Sequence, residues 1–201
     1  MGRTRETMER VRAGFAADPD VRHRFVVSFG AELPTPENMG TVLRHVLGGW
    51  QVNGIIQKQT GFPVVVTDPV LTRQQLTNRP DVTCDPNEDA PHTVDQWFNT
   101  SCYVRRPAAQ TGDRPGNAER NMTRGPGFAS ADLSLFKNFV VTEAFRAQFR
   151  AEAFNLLNRA NFGAPALVAF AGTTDGEAPL STFGRITTTV TSARQLQLGV
   201  K

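Results

Sequence analysis

Trp50-Gln51-Val52-Asn53-Gly54-Ile55-Ile56-Gln57-Lys58-Gln59 changes character at almost every step. In an extended chain Trp50, Val52, Gly54 and Ile56 share one face, and Gln51, Asn53, Ile55, Gln57 and Gln59 share the other. A period of two is that of a β-strand, because successive side chains point to opposite sides of the sheet. The pattern predicts a strand over 49–60. A row of amide side chains opposite an apolar row is unusual for a strand in a soluble core. Gly61-Phe62-Pro63 breaks the run, and Val64-Val65-Val66-Thr67 resumes it.

The same alternation recurs on both sides. Over 21–34, His23, Phe25, Val27, Phe29, Ala31 and Leu33 oppose Arg24, Val26, Ser28, Gly30 and Glu32, ending at Pro34. Over 130–139, Ala131, Leu133 and Leu135 oppose Asp132, Ser134, Phe136 and Asn138. Over 193–201, Arg194, Leu196, Leu198 and Val200 oppose Gln195, Gln197, Gly199 and Lys201. Residues 144–156 read two ways. Phe145, Ala147, Phe149, Ala151 and Ala153 alternate with Arg146, Gln148, Arg150 and Glu152. Yet Phe145, Phe149 and Ala153 also fall at helical spacing among good helix formers, so local reasoning leaves strand and helix open. Residues 41–47 suit either a helical turn or a strand start, and the Thr-rich 185–190 is strand-prone. Short connections lie at 34–40 and 140–143, long ones at 68–128 and 159–181. Residues 1–20 read as a polar, frayed leader with only a thin apolar stripe at Met8, Val11 and Phe15.

Composition excludes several classes. The chain has 201 residues, 20% charged and 39% hydrophobic, which is neither disordered nor collagen-like. No run of about 18 apolar residues exists for a membrane-spanning helix. The net charge is +3, and of 22 basic residues only Lys58, Lys137 and Lys201 are lysine, leaving 19 arginines. These are scattered, with no basic stripe and interleaved aromatics, so nucleic acid is not an expected partner. No CxxC and no His at metal spacing points to zinc. His23, His45 and His92 sit near no nucleophile or carboxylate spacing that suggests a triad, and each reads as structural or solvated. Neither an enzyme nor a cofactor is expected.

Strands of about 9–11 residues, apolar on one face and polar on the other, are the mark of a transmembrane β-barrel, as are short turns alternating with long loops. The physical reason is that a sheet in lipid must close to leave no backbone group unpaired. A soluble antiparallel sheet with one wet face also alternates, and it explains the long loops poorly.

Specific strings carry the reading further. Arg22-His23-Arg24-Phe25-Val26, Leu47-Gly48-Gly49-Trp50-Gln51-Val52-Asn53-Gly54-Ile55 and Gln59-Thr60-Gly61-Phe62-Pro63 resemble the C-terminal barrel of TonB-dependent receptors of the Oar-like subgroup. So do Asn78-Arg79-Pro80-Asp81, Gln96-Trp97-Phe98-Asn99, Arg124-Gly125-Pro126-Gly127, Asp132-Leu133-Ser134-Leu135-Phe136-Lys137-Asn138-Phe139, Phe149-Arg150-Ala151-Glu152-Ala153-Phe154-Asn155 and Phe183-Gly184-Arg185-Ile186, in order from about residue 20 to 201. The resemblance implies an all-β, antiparallel up-and-down barrel segment, about the last five or six strands of a roughly 22-stranded barrel. It decides 144–156 for strand. It implies the outer membrane of a Gram-negative bacterium as location and uptake of a bulky, unidentified ligand as function. The implied partners are outer-membrane lipid, the rest of the barrel and its plug, and the TonB system as energy source. The family's signal sequence, carboxypeptidase-regulatory-like domain and plug have no counterpart here, so the chain reads as a fragment with an open sheet. The alternatives are a structural or adhesive barrel wall without transport, a non-functional truncated fragment, and a soluble carbohydrate-binding β protein.

On that reading Arg146, Gln148, Arg150 and Glu152 form a lumen-facing polar row, for ligand or plug contact or as a ladder of cross-strand pairs. Trp50 is a candidate interface anchor. Cys84 and Cys102 are the two cysteines, so one intramolecular pairing exists. A long loop on the cell exterior is oxidising enough for that disulfide, which would close about 19 residues and contribute roughly 3 kcal/mol on the chain-entropy model. Two free thiols in a flexible loop is the competing reading.

Overall fold

The computed structural model describes residues 21–34, 40–70, 78–107, 115–140 and 146–201. The leader at 1–20 and most of the two short connections lie outside them. The elements in chain order are β1 (Arg24–Glu32), α1 (Thr41–Leu47), β2 (Trp50–Gln59), β3 (Pro63–Val64), β4 (Asp81–Val82), a 3-10 turn (Thr100–Cys102), β5 (Tyr103–Val104), β6 (Thr123–Arg124), β7 (Phe128–Val140), β8 (Arg146–Phe154) and β9 (Gln195–Val200). Contacts divide the chain into two compact units. One holds His23–Gln59, Phe128–Asn161 and Thr189–Lys201, and the other holds Thr60–Gly127 and Phe162–Thr188.

The first unit is one antiparallel sheet in the order β1-β2-β7-β8-β9. Every stretch with unambiguous alternation became a strand, and 146–154 joined them. Two neighbours decide that stretch: Phe136 pairs with Arg150 on one side, and Gly199 pairs with Arg150 on the other. A ladder on both flanks satisfies every backbone group that a helix would satisfy internally. The register keeps the two faces apart across all five strands. Val27, Ile56 and Ala131 align in one row, as do Gly54, Leu133, Ala153 and Leu196. Gln51 and Phe136 align on the other face, and Asn53 aligns with Ser134, Glu152 and Gln197. A slip of one residue anywhere would mix the faces.

Local chemistry fixes the strand ends. Gly49, at φ 71, enters the left-handed region just before β2, which a residue without Cβ does at little cost. At the far end of β8, Asn155 turns the chain at φ 49. Its amide donates to the carbonyls of Arg159 and Ser192 at 3.0 Å each, and its own N–H donates to Asp132 at 2.8 Å. Asn is the side chain that tolerates this backbone and bonds it locally. Within the sheet, Phe29 lies flat over Gly54, and a Cβ there would come within 2.7 Å of the ring at Cε1.

The second unit is not the irregular loop its composition suggests. Val66, Phe98, Tyr103, Ala118, Ala169, Phe170 and Phe183 form a buried core, with Val82, Trp97, Leu167 and Leu180 packed against it. Phe98, Tyr103 and Phe183 meet edge to face, with centroids 5.1–5.8 Å apart, the arrangement that aromatic quadrupoles favour. Two-stranded ladders β3–β6 and β4–β5 tie distant segments together. The strand-prone stretch at 185–190 forms no strand: an isolated bridge is assigned there. Ile186 N–H bonds to Val94 O, Val190 N–H bonds to Asn161 O, and Thr188 O accepts from Gly163. Each backbone group finds a different partner, so no ladder propagates despite the Thr-rich propensity.

Candidate functional site

On the polar face of the sheet the four residues of the expected row fall on alternate positions of β8. Gln148 donates to Asn138 Oδ1 at 2.9 Å across the β7–β8 ladder. The Arg150 guanidinium stacks 4.7 Å from the Phe136 ring centroid and lies 4.0 Å from the Glu152 carboxylate. Arg150 also reaches Gln148 Oε1 at 3.5 Å. On β2, Gln51 donates to Glu32 at 2.9 Å. Arg146 stands exposed at the strand's start. These are solvated pairs worth well under about 1 kcal/mol each. Their combined effect is a hydrated surface bearing both charges, with a hollow of about 310 Å³ lined by Gln148, Arg150, Glu152, Gln197, Gly199, Val200 and Lys201. Such a face can contact polar ligand or protein.

The other face is apolar and bare. Leu196 and Leu198 are each 73% exposed, Val200 79% and Phe25 60%. A continuous patch of that kind on a protein in water is a liability, and in lipid it is the requirement. Trp50 sits at the end of this face near α1 and donates from Nε1 to Val46 O at 3.0 Å. One residue escaped the sequence reading. Lys137 lies in the apolar row, opposite Trp50 in the register. It is 1% exposed, donates to the Gly48 carbonyl, and places its ammonium 5.2 Å from the Trp50 ring and 5.1 Å from the Phe139 ring. Cation–π attraction and the carbonyl together offset the burial of the charge. The alternation through Leu133 and Leu135 was enough to place it there.

In the loop unit Cys84 and Cys102 are bonded, with Cα atoms 5.1 Å apart. The bridge reinforces the β4–β5 ladder, where Thr83 N–H donates to Cys102 O at 2.9 Å. Beside it runs a cleft of about 600 Å³ lined by Val82, Thr83, Cys84, Asp85, Asn87, Asn117, Glu119 and Met122. Asn117 holds β4 by accepting from Val82 N at 2.6 Å. Arg106 grips Asp81 with two bonds of 3.0 Å, a charge-assisted fork. The Asn-Arg-Pro-Asp string thus serves the loop's structure: Asp81 takes Arg106, and Arg79 donates to Ala118 O at 2.7 Å. Tyr103 is buried, which pushes its phenol up, although its hydrogen bond with Thr123 at 2.8 Å works the other way. We expect no thiol labelling in the denatured, unreduced protein and two labels after reduction. Replacing both cysteines by serine should cost the loop unit about 3 kcal/mol, read by hydrogen exchange at Tyr103.

Arg105 ties the two long connections to each other. It lies 3.8 Å from Asp68 and 3.5 Å from Glu177, and it donates to Thr174 O. Burial alone would raise the Glu177 carboxyl. The N–H of Gly172 and the N–H and hydroxyl of Thr173, with Arg105 adding its charge, hold it below the usual carboxylate range instead. A folded-state value below the unfolded one contributes stability above the unfolded pKa, and that stability is lost as pH falls through the folded value. Amide exchange at Gly172 and Thr173 should therefore stay slow through neutral pH. It should accelerate only below the ordinary carboxylate range, and Glu177→Gln should remove the pH dependence.

Among the described residues no group of three or more His, Cys, Asp or Glu is placed to hold a metal. His92 packs edge-on against Trp97, with centroids 5.1 Å apart. A family model described as an outer membrane beta barrel domain matches residues 7–197. No curated protein and no solved structure matches the chain.

Proposed function

Since the chain belongs to the outer membrane beta barrel domain family, we propose that it supplies wall strands and a folded external loop to a TonB-dependent receptor that takes up a bulky ligand. The membership places the protein in the outer membrane, and the sheet is a barrel-type antiparallel sheet. The observation that carries the reading is the register, which holds one face mostly apolar and the other mostly polar across five strands. Lipid takes the first face and a wet lumen takes the second. The ordered string of motifs that resembles Oar-like receptors supports the finer assignment.

The long connection between β2 and β7 would lie on the cell exterior, since barrels keep their short turns on the periplasmic side. A loop with its own aromatic core and a disulfide suits ligand capture better than a flexible loop does, because a rigid surface loses less entropy on binding. The second reading, an adhesive or structural wall, draws on the same loop. Uptake measurements separate them. Loss of this protein and loss of TonB should each abolish accumulation of the same solute in a labelled-solute screen, and the double loss should add nothing further. Surface binding that persists in cells without TonB, with no solute depending on both, would favour adhesion. In plain buffer the isolated chain should aggregate, and it should disperse in detergent. A monomer that melts sharply without detergent would contradict the lipid assignment of the apolar face.

A further inference from the structure

The connection between β1 and β2 carries a short helix with an exposed apolar side. In α1, Leu43 is 54% exposed, Val46 55% and Leu47 43%. These positions lie three and four apart and so share one side of a helix. Arg44 and His45 occupy the other side, in its last turn. The helix end is fixed above the apolar face of the sheet by two contacts: Trp50 Nε1 donates to Val46 O at 3.0 Å, and Lys137 donates to Gly48 O. The end of α1 therefore lies beside Trp50, which with Phe139 meets the Lys137 ammonium in the apolar row. Arg44, His45 and Lys137 are the charged or titratable residues of 40–50 and 136–140, and the acids that flank these segments in sequence are Glu37 and Glu143. The nearest acid in the register, Glu32, is opposite Gln51 on the polar face and bonded to it.

We propose that α1 is a membrane-interface anchor, lying on the rim of the sheet with Leu43, Val46 and Leu47 among acyl chains. Arg44 then faces the anionic headgroups of periplasmic-leaflet phospholipid. The proposal rests on the barrel reading above. A short amphipathic segment binds an interface through buried apolar area plus attraction to anionic lipid. Aromatic and lysine side chains with an apolar body and a polar tip mark the same level.

The test is spin labelling of the full chain reconstituted into vesicles of phosphatidylethanolamine and phosphatidylglycerol. The native cysteines are bonded, so each introduced cysteine is the free thiol. Labels at Leu43→Cys and Val46→Cys should be more accessible to oxygen than to a water-soluble nickel chelate, and a label at Arg44→Cys should be the reverse. Leu198→Cys, on the open apolar face, is the control. Lipid exposure at Leu198 with water exposure at Leu43 and Val46 would overturn the anchor and leave the barrel reading intact. Water exposure at all of them would overturn both. In addition, Arg44→Gln should reduce the preference for spin-labelled phosphatidylglycerol over phosphatidylcholine by up to about fivefold. An unchanged preference would refute the headgroup contact.

Discussion

Leu133→Arg lowers the stability of the membrane-inserted protein by about 2–4 kcal/mol, and Ser134→Arg changes it by little. The two residues are neighbours in β7, so the contrast isolates the face. Leu133 is opposite Gly54 and Ala153, mid-sheet in the apolar row. An arginine there has small residues on both sides, no acid within the row, and hydrocarbon in front. Ser134 is opposite Asn53 and Glu152, where a guanidinium gains a carboxylate and keeps its water. Denaturant titration in vesicles, followed by gel mobility of the folded form, reads both variants. Equal losses would mean that the faces are not lipid and water.

Phe98→Ala costs the loop unit about 3–5 kcal/mol, the range for deleting a buried Phe. The site cannot collapse around the gap easily. Phe98 is 1% exposed and touches two other rings, Tyr103 and Phe183, which come from different long connections. The remaining small core residues, Ala118 and Ala169, have little to offer as filler. Hydrogen exchange should rise by orders of magnitude at Tyr103, Ala118 and Phe170, while amides of Leu133–Leu135 keep their protection. Disulfide retention should not rescue the variant, since the bond closes the segment from 84 to 102 alone and Phe183 lies outside it.

The sheet was legible because its signal is local. Each strand carries its two-residue period within its own ten residues, and lipid on one side with water on the other sharpens the contrast. The stretch at 144–156 was the exception, because Ala, Arg, Gln and Glu serve both periods, and only pairing with β7 and β9 separates them. The loop unit was hardly legible. Its core brings Phe98 to Phe170 and Phe183, contacts across more than 70 positions, and no window of sequence holds such a pattern. Arg105 with Asp68 and Glu177 was invisible for the same reason. Of the site residues, the row at Arg146–Glu152 followed from alternation. Lys137 was overlooked because a lysine in an apolar row reads as noise until its carbonyl and two rings are seen. The strand-prone 185–190 stayed irregular because propensity supplies no partner.

The strand count has an arithmetic consequence. Five strands in up-and-down order leave β1 and β9, the two edges of the sheet, running in the same direction. Two copies set side by side with the same orientation in a membrane would therefore meet in parallel at the seam, against the antiparallel pairing that barrels of this class use throughout. An antiparallel ring containing this sheet is completed only by an odd number of further strands, those at its two ends both running opposite to β1. Strand direction thus rules out an antiparallel ring built purely by repeating this five-stranded sheet in one membrane orientation, whatever the size of the finished pore.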